Sequence, residues 1–453
     1  MDIIAPGKAA SLRASQPTPL IAGLVPSTVL RLAAKGDTGR LVPNYAPPCP
    51  EPLLRLESAE GVALNAVDVI ATHWHRPPYA MLVRLVFYAP GSRDGQILDE
   101  AVISTRGSRD AFQQRLESTA MRLVQDALES RSRGPAGLAV PPPKTAGAGG
   151  WLDYLVATWQ RRLLTEWWSV GMTRAPLPAI VKDGKLGEVR WLRPGVGNAY
   201  HADPFPLPGT GQLLVEEMPM NGGVGTIVAL APQEDGGFER ARVVLDTGRH
   251  HSYPCTYQDE TGTYVLPEST ERGTTTLYRV GPNGELGAVC VIAPDRALAD
   301  PTLFRHGSRF WIACTDIEIG EHDNLCLFYA DRLEGPWHPH RCTPVKIDIA
   351  GARPAGPLFR VGDALFRPGQ DCSRTYGGGI TIHRIEELDE NTFRETKVTS
   401  LQPDPKGPFP DGLHTLAVDG DRVWVDGKRF ILDMPGVFRK LGRRMGLRAG
   451  KGA

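Results

Sequence analysis

A chain of 453 residues has room for about three domains at roughly 150 residues each, or for one large repeat domain with an appendage. Lysine plus arginine and aspartate plus glutamate both number 51, so the formal charge is zero and there is no global field to steer nucleic acid. Apolar residues at 41% and charged residues at 23% exclude a wholly disordered, collagen-like or coiled-coil chain, while 50 Gly and 40 Pro spread along the sequence favour many short strands joined by turns.

The start carries no basic segment followed by an apolar run, and no stretch of 18 apolar residues occurs. A cytoplasmic protein without a signal or spanning helix is therefore expected. Seven cysteines, an odd number with no C-x-x-C pair, read as thiols in a reducing compartment.

Residues 1–131 are expected to form a small α/β region. They contain apolar runs at Ala66 to Ala71 and Met81 to Tyr88, and a helix near Arg109 to Ser130 whose apolar residues recur at helical spacing. His73 and His75 stand as H-x-H with no third ligand in view, so no metal is assigned. Residues 132–150 read as a linker rich in Pro, Ala and Gly. In Trp151 to Trp168, Trp151, Leu155, Trp159, Leu163 and Trp167 are spaced by four, which predicts a helix docking by its apolar face. The tail, 436–453, carries six basic residues and no acid among apolar ones, a candidate contact with an anionic membrane face.

Residues 151–435 repeat. Segments starting at His201, His251, Leu298, Gly351 and Asp411 each read as a short strand, a Gly-containing turn and a second apolar strand. Aligning Asp203, Tyr253, Asp300, Arg353 and Leu413 gives spacings of 50, 47, 53 and 60, about one four-stranded propeller blade each. The fold class expected is mainly β, a five-bladed β-propeller with the small α/β region at its amino-terminal side. The fifth repeat has no outer hairpin after it, but one precedes the first, in residues 175–194; pairing the two would close the ring.

Innermost strands of a propeller converge on one channel, so the starts of the repeats predict its lining: Asp203, Tyr253, Asp300, Arg353 and His414, with His201, His251, Glu268, Asp316, Arg367, Gln370 and Asp371 close by. Such a set is costly to gather in a partly buried cavity unless its members pair with one another or with a ligand. Arg353 and Arg367, each followed by Pro, could grip a phosphate or carboxylate in bidentate fashion; an ion pair of Arg353 with Asp371 or Glu268 is the bland alternative. Asp203 and Asp300 would hold sugar hydroxyls or act as a base. NGGVG at 221–225 and YGGGI at 376–380 lack the setting of a phosphate loop and read as hairpins or bulges.

Asp203-Pro204, Asp300-Pro301 and the X-Pro element Arg353-Pro354 resemble the five-bladed propeller glycosidases of the arabinanase and β-fructosidase type. That resemblance implies a base or nucleophile at Asp203 and a sugar-positioning role for Asp300. Arg353 stands where those enzymes have an acid, and arginine cannot protonate a leaving group. More specifically, SYPCTYQDETGTYVLPEST, DRLEGPWHPH, GARPAG and RPGQDCSRTYGGGI resemble the propeller region of the plant glucosamine inositolphosphorylceramide transferases and bacterial relatives, over residues 165 to 430. This implies glycan or glycolipid metabolism. Some relatives are joined to formyltransferase-like domains, which makes 53–131 a candidate remnant of one, without the Asn, His-Pro and Asp set needed for formyl transfer.

The sequence reading therefore expects a carbohydrate-active propeller. Its catalytic candidates are Asp203, Asp300 and Glu268, and its substrate-binding candidates are Arg353, Arg367, His251, Tyr253, Gln370, Asp371 and His414. The partner would be a sugar, sugar phosphate, nucleotide sugar or glycolipid, with no nucleic acid and no cofactor. A glycan-binding module without catalysis is the rival.

Overall fold

The computed structural model describes residues 20–22, 40–41, 53–58, 64, 66–129, 131–138, 140, 154–156, 158–159, 163–192, 198–220, 222–234, 237–269 and 271–432. The basic tail and most of the linker lie outside them, as do seven of the eighteen residues of the expected docking helix, 151–153, 157 and 160–162; of the described ones, 154–156, 158–159 and 163 are helical. The chain divides into two compact units.

The first unit comprises Met1–Tyr154, His340–Ile349 and Glu386–Thr396. Its sheet holds β1 (Leu20–Ala22), β2 (Arg40–Leu41), β3 (Leu53–Glu57), β4 (Ala80–Tyr88) and β5 (Gly95–Ser104) in the order β2-β1-β3-β4-β5. β1 runs parallel to both neighbours and the remaining pairs are antiparallel. The apolar run from Ala66 forms α1 (Ala66–His73) and the longer periodic segment forms α2 (Arg109–Leu128). Ser108 caps α2, its Oγ accepting from the Ala111 N–H at 3.1 Å and so satisfying one of the helix's open donors. Phe112, Leu116, Leu123 and Val124 share a core with Val83 and Ile103. The small α/β region is as expected. The linker is not uniformly a linker: Arg133 is nearly buried against Asp99 at 2.9 Å and donates to the Pro344 carbonyl at 2.8 Å, and Gly134 N–H bonds Leu98 O, so residues 131–138 pack as part of the first unit. Composition alone does not register that buried ion pair.

The second unit, Leu155–Pro339, Ala350–Ile385 and Lys397–Ala453, is a β-propeller of four-stranded meanders. It opens with β6 (Leu164–Thr173), α3 (Leu177–Asp183) and β7 (Arg190–Trp191). The first full meander is β8 (Ala199–Pro206), β9 (Leu213–Pro219), β10 (Thr226–Pro232) and β11 (Phe238–Leu245); the second is β12 (His251–Asp259), β13 (Gly262–Ser269), β14 (Thr276–Val280) and β15 (Leu286–Val291). The third is β16 (Leu298–His306), β17 (Arg309–Asp316), β18 (Asn324–Ala330) and β19 (His338–Pro339). Then β20 (Lys346–Ile347) falls in the first unit, and the fourth meander is β21 (Phe359–Val361), β22 (Ala364–Gln370), β23 (Ile380–Leu388) and β24 (Phe393–Leu401). The fifth combines both ends of the unit: β25 (Leu416–Asp419), β26 (Arg422–Leu432), β6 and β7.

Ring closure is thus by β6, which pairs antiparallel with β26 from Val423 opposite Thr173 to Leu432 opposite Leu164. The expectation differed in detail. Residues 175–194 do not form the closing hairpin, because Leu177–Asp183 is α3, and Leu164 to Trp168 is strand, not the end of a helix. The aromatic and β-branched residues of β6 fit a ladder flanked on both sides, and that tertiary pairing overrides the four-residue spacing read as helix. Among the described residues no helix is long and apolar enough to cross a membrane.

Side chains between adjacent meanders form the core, for example Phe205, Leu266, Leu303, Ile312 and Phe328. Burying each is worth about 1.5–3 kcal/mol. The strands nearest the ring's centre, β8, β12 and β16, lie beside one another, which positions the site.

Candidate functional site

Each of the first three inner strands breaks its register at the aligned position: between Ala202 and Phe205, Ser252 and Cys255, and Ala299 and Thr302. The residues in these breaks, Asp203, Tyr253 and Asp300, have φ of 52°, 45° and 48°. Each precedes a proline. A non-glycine residue in that region costs about 1–3 kcal/mol and persists only where its surroundings over-determine it.

The surroundings are a relay of carboxylates, one from each preceding meander. Asp203 N–H donates to Asp426 Oδ2 at 3.0 Å, Tyr253 N–H to Asp203 Oδ2 at 3.1 Å, and Asp300 N–H to Glu268 Oε2 at 2.8 Å. Asp203 therefore uses its strained backbone and its carboxylate in consecutive links.

Two charged centres result. Around Asp300, Arg353 Nε donates to Oδ2 at 2.5 Å and Gln370 Nε2 to the same oxygen at 2.7 Å, while Arg353 Nη2 lies 3.7 Å from Glu268 Oε2. Arg353 Nη1 also donates to the Glu321 carbonyl at 2.7 Å and lies 3.1 Å from His322 Nδ1. Around Asp203, Thr415 Oγ1 donates to Oδ1 at 2.6 Å and His414 Nε2 lies 3.7 Å away. His414 Nδ1 pairs with Asp426 Oδ2 at 2.6 Å, and its ring stacks on Trp168 at 3.9 Å.

Burial pushes Asp203 up to about 6, moderated by the His414 charge, and pushes Asp300 up to about 7, moderated by Arg353. Burial pulls His414 down, but Asp426 and Asp203 outweigh it and lift the imidazolium to about 9. Glu216 is driven well up by burial and by Asp203. Two carboxyls that exchange protons near neutral pH stand beside two cations that hold theirs.

The structure thus gathers Asp203, Asp300, Glu268, Arg353, Gln370 and His414. It places the other candidates elsewhere in the network. Tyr253 points its hydroxyl into the core, at Thr302 Oγ1 (2.8 Å) and the Gly356 N–H (2.6 Å). Arg367 does not join Arg353 in a grip: fully buried, it donates to the carbonyls of Gly351 at 2.7 Å and Ala352 at 3.2 Å. Arg353 is itself committed to Asp300, a partner the sequence reading did not weigh. Asp371 caps its own turn, accepting from Ser373 N–H and Oγ. His251 faces Thr247 Oγ1 at 2.8 Å, His201 faces Glu217 at 3.1 Å, and Asp316 pairs with Arg296 at 2.6 Å.

Sequence reasoning missed Asp426, Thr415, Glu216, His322 and Tyr376. A signal existed for the two missed carboxylates: like Glu268, Glu216 and Asp426 end the apolar run of a second strand, so aligning second strands as well as first ones finds them. As to metal, Asp203, His414 and Asp426 each offer one ligand atom within 4.8 Å of the others. A cation there would have to displace the imidazolium proton that already balances the two carboxylates.

Three kinds of comparison show what the chain is similar to. Among solved structures, the exo-β-1,3-galactanase of Phanerochaete chrysosporium is 13% identical, with 48% of this chain and 58% of that one covered at a TM-score of 0.37. The family 117 glycoside hydrolase Zg3597 of Zobellia galactanivorans is 11% identical, with 52% and 86% covered at 0.38. Among curated proteins, glucosamine inositolphosphorylceramide transferase 1 of Oryza sativa subsp. japonica is 30% identical over 225 residues, 45% of this chain and 30% of its own length, and that of Arabidopsis thaliana is 29% identical over 256 residues, 51% and 33%. The chain spans about a third of the length of these relatives. Residues 202–409 match the family model described as glucosamine inositolphosphorylceramide transferase 1, N-terminal, so the propeller region resembles the amino-terminal side of those transferases, as its motifs implied.

Proposed function

We propose that the propeller is a carbohydrate-active unit acting in the synthesis of a cell-surface glycan or glycolipid, and that its channel transfers a glycosyl group with Asp203 as the general base. One observation carries this reading: Asp203 is buried in a strained bulge with a proton affinity near 6, beside a protonated His414. A base works best when its pKa lies close to the working pH. Asp203 would take the proton of an acceptor hydroxyl while that oxygen attacks the anomeric carbon, and the bond to the departing group breaks with its electron pair. Asp300, fixed by Arg353 and Gln370, would hold sugar hydroxyls, and Glu268 would hold the Asp300 backbone.

Arg353 in the fourth-blade position cannot donate a proton. That favours a leaving group that departs unprotonated, such as the phosphate of a sugar phosphate or nucleotide sugar, whose second pKa is about 6. The relatives bear the name glucosamine inositolphosphorylceramide transferase 1, which supports a glucosamine-type donor and a lipid-linked acceptor. A second reading, a glycan-binding module without catalysis, is favoured by the internal pairing of both aspartates.

Incubating the full chain with UDP-N-acetylglucosamine and inositolphosphorylceramide, with mass spectrometry for the glycosylated lipid, tests the proposal. Binding of the donor without product favours the module; neither binding nor product refutes both. We also propose that the protein lies in the cytoplasm and contacts the inner membrane face through residues 436–453, whose six basic residues suit anionic lipid. Equal flotation with liposomes of the full chain and of a chain ending at residue 435 would refute that part.

A further inference from the structure

We infer that Tyr376, in the loop between β22 and β23, is a substrate-contacting residue of this site, presenting a neutral hydroxyl to the sugar from the same blade that supplies Arg353. The inference rests on the sugar site proposed above and adds a residue to it.

The surroundings of Tyr376 are not those of a core tyrosine. The Arg353 guanidinium lies over its ring at 5.1 Å, the His322 ring is 5.3 Å away, and the His414 ring meets it edge-on at 5.3 Å and 89°. Trp168 stands at 6.1 Å and the Lys428 ammonium at 5.8 Å. Arg353 belongs to the Asp300 centre and His414 to the Asp203 centre, so this one ring bridges the two. Tyr376 is half-buried, whereas Tyr253 is fully buried with its hydroxyl spent on Thr302 and Gly356. Among the described residues no group hydrogen-bonds the Tyr376 Oη.

The backbone is built to hold the ring there. Gly377 has φ of 54°, and a Cβ on it would lie 2.7 Å from His414 Cβ and 2.8 Å from the Trp168 ring. Its carbonyl accepts from Leu413 N–H at 2.9 Å. Lys428, fully buried and paired with Glu166 at 3.1 Å, donates to the Tyr376 carbonyl and to Thr375 Oγ1. A buried lysine and a glycine without side-chain room are a costly way to seat an ordinary turn.

The chemistry completes the argument. Burial raises the phenol well above its usual range, Arg353 pulls the other way, and Asp300, Asp203 and Glu268 raise it further. The hydroxyl therefore senses all three carboxylates and keeps its proton. Ionised carboxylates only accept, and the Arg353 donors face Asp300, Glu321 and His322. A sugar needs donors as well as acceptors, and Tyr376 supplies one.

The test compares wild type, Tyr376→Phe, Tyr376→Leu and Asp203→Asn in the full chain, by titration calorimetry with UDP-N-acetylglucosamine and by turnover with inositolphosphorylceramide. Tyr376→Phe keeps the ring contacts, so it should melt with wild type yet bind the donor about 5–15-fold more weakly, the loss of one hydrogen bond. Tyr376→Leu should lose both binding and thermal stability. If Tyr376→Phe binds and turns over as wild type while Asp203→Asn is inactive, the Tyr376 assignment fails and the sugar site stands. If wild type neither binds nor turns over, the site itself fails and this inference with it.

Discussion

Replacing Arg353 with methionine isolates the electrostatics of the Asp300 centre. The substitution keeps an unbranched apolar stem but removes the guanidinium, leaving the Asp300 carboxylate without its 2.5 Å partner and Glu268 without its 3.7 Å one. Removing one member of a buried pair costs about 3–5 kcal/mol. At roughly 2–4 °C per kcal/mol for a domain of this order of size, the propeller's melting transition should fall by roughly 6–20 °C at pH 8. The sign with pH follows from Asp300. Its folded pKa of about 7 lies above its ordinary 3.8, so the native state holds the proton more tightly and ionisation erodes stability as pH rises through that window. Losing Arg353 lifts the folded pKa further, so at pH 5 the carboxyl is protonated in variant and wild type alike and the deficit should shrink. Adding Asp300→Asn to the variant should recover part of the loss at pH 8, since no unpaired charge is left. Calorimetric scans at pH 5 and pH 8 read all of this. An equal deficit at both pH values, or one under about 1 kcal/mol at pH 8, would refute the assigned pairing.

Val170→Pro, placed in β6 opposite Asp426, should break ring closure and cost about 3 kcal/mol or more, read by denaturant titration; a silent substitution would mean that closure runs elsewhere. Gly377→Ala combines a strained φ with the contacts to His414 and Trp168 and should cost about 2–4 kcal/mol by the same titration. His414 is held at about 9, above its ordinary 6.5, so its contribution is complete below about pH 6.5 and is lost as pH rises through 9. Melting temperatures of wild type should fall across that window up to pH 9, whereas those of His414→Gln should level off once Asp300 has ionised, above about pH 8.

Much of this was legible in the repeat. The aligned starts located Asp203, Asp300 and Arg353, and Asp-Pro recurs at two of them, whereas the strained bulges at those aspartates emerged only in the structure. What sequence could not supply was direction. Tyr253 shares the register and the positive φ of the aspartates, yet its side chain is too large and apolar to stay in the channel and fills the core beside Phe205 (4.8 Å between rings). Arg367 alternates on β22 with Gln370, and burial in the ladder turned it toward backbone carbonyls. β6 was hidden because its aromatic residues satisfy two periods, and only the pairing with β26, more than 250 residues away, selects the strand. Tyr376 was read as part of a Gly-rich hairpin because glycines advertise a turn and say nothing of what the turn presents.

The most direct measurement is the pH dependence of kcat/KM for glycosyl transfer from UDP-N-acetylglucosamine. With Asp203 as the base at about 6, the rate should fall about tenfold per pH unit below that value, and Asp203→Asn should lower it by about 10²–10⁴ while leaving donor affinity nearly unchanged. A rate that is flat from pH 5 to 8, or an Asp203→Asn variant as active as wild type, would contradict the account.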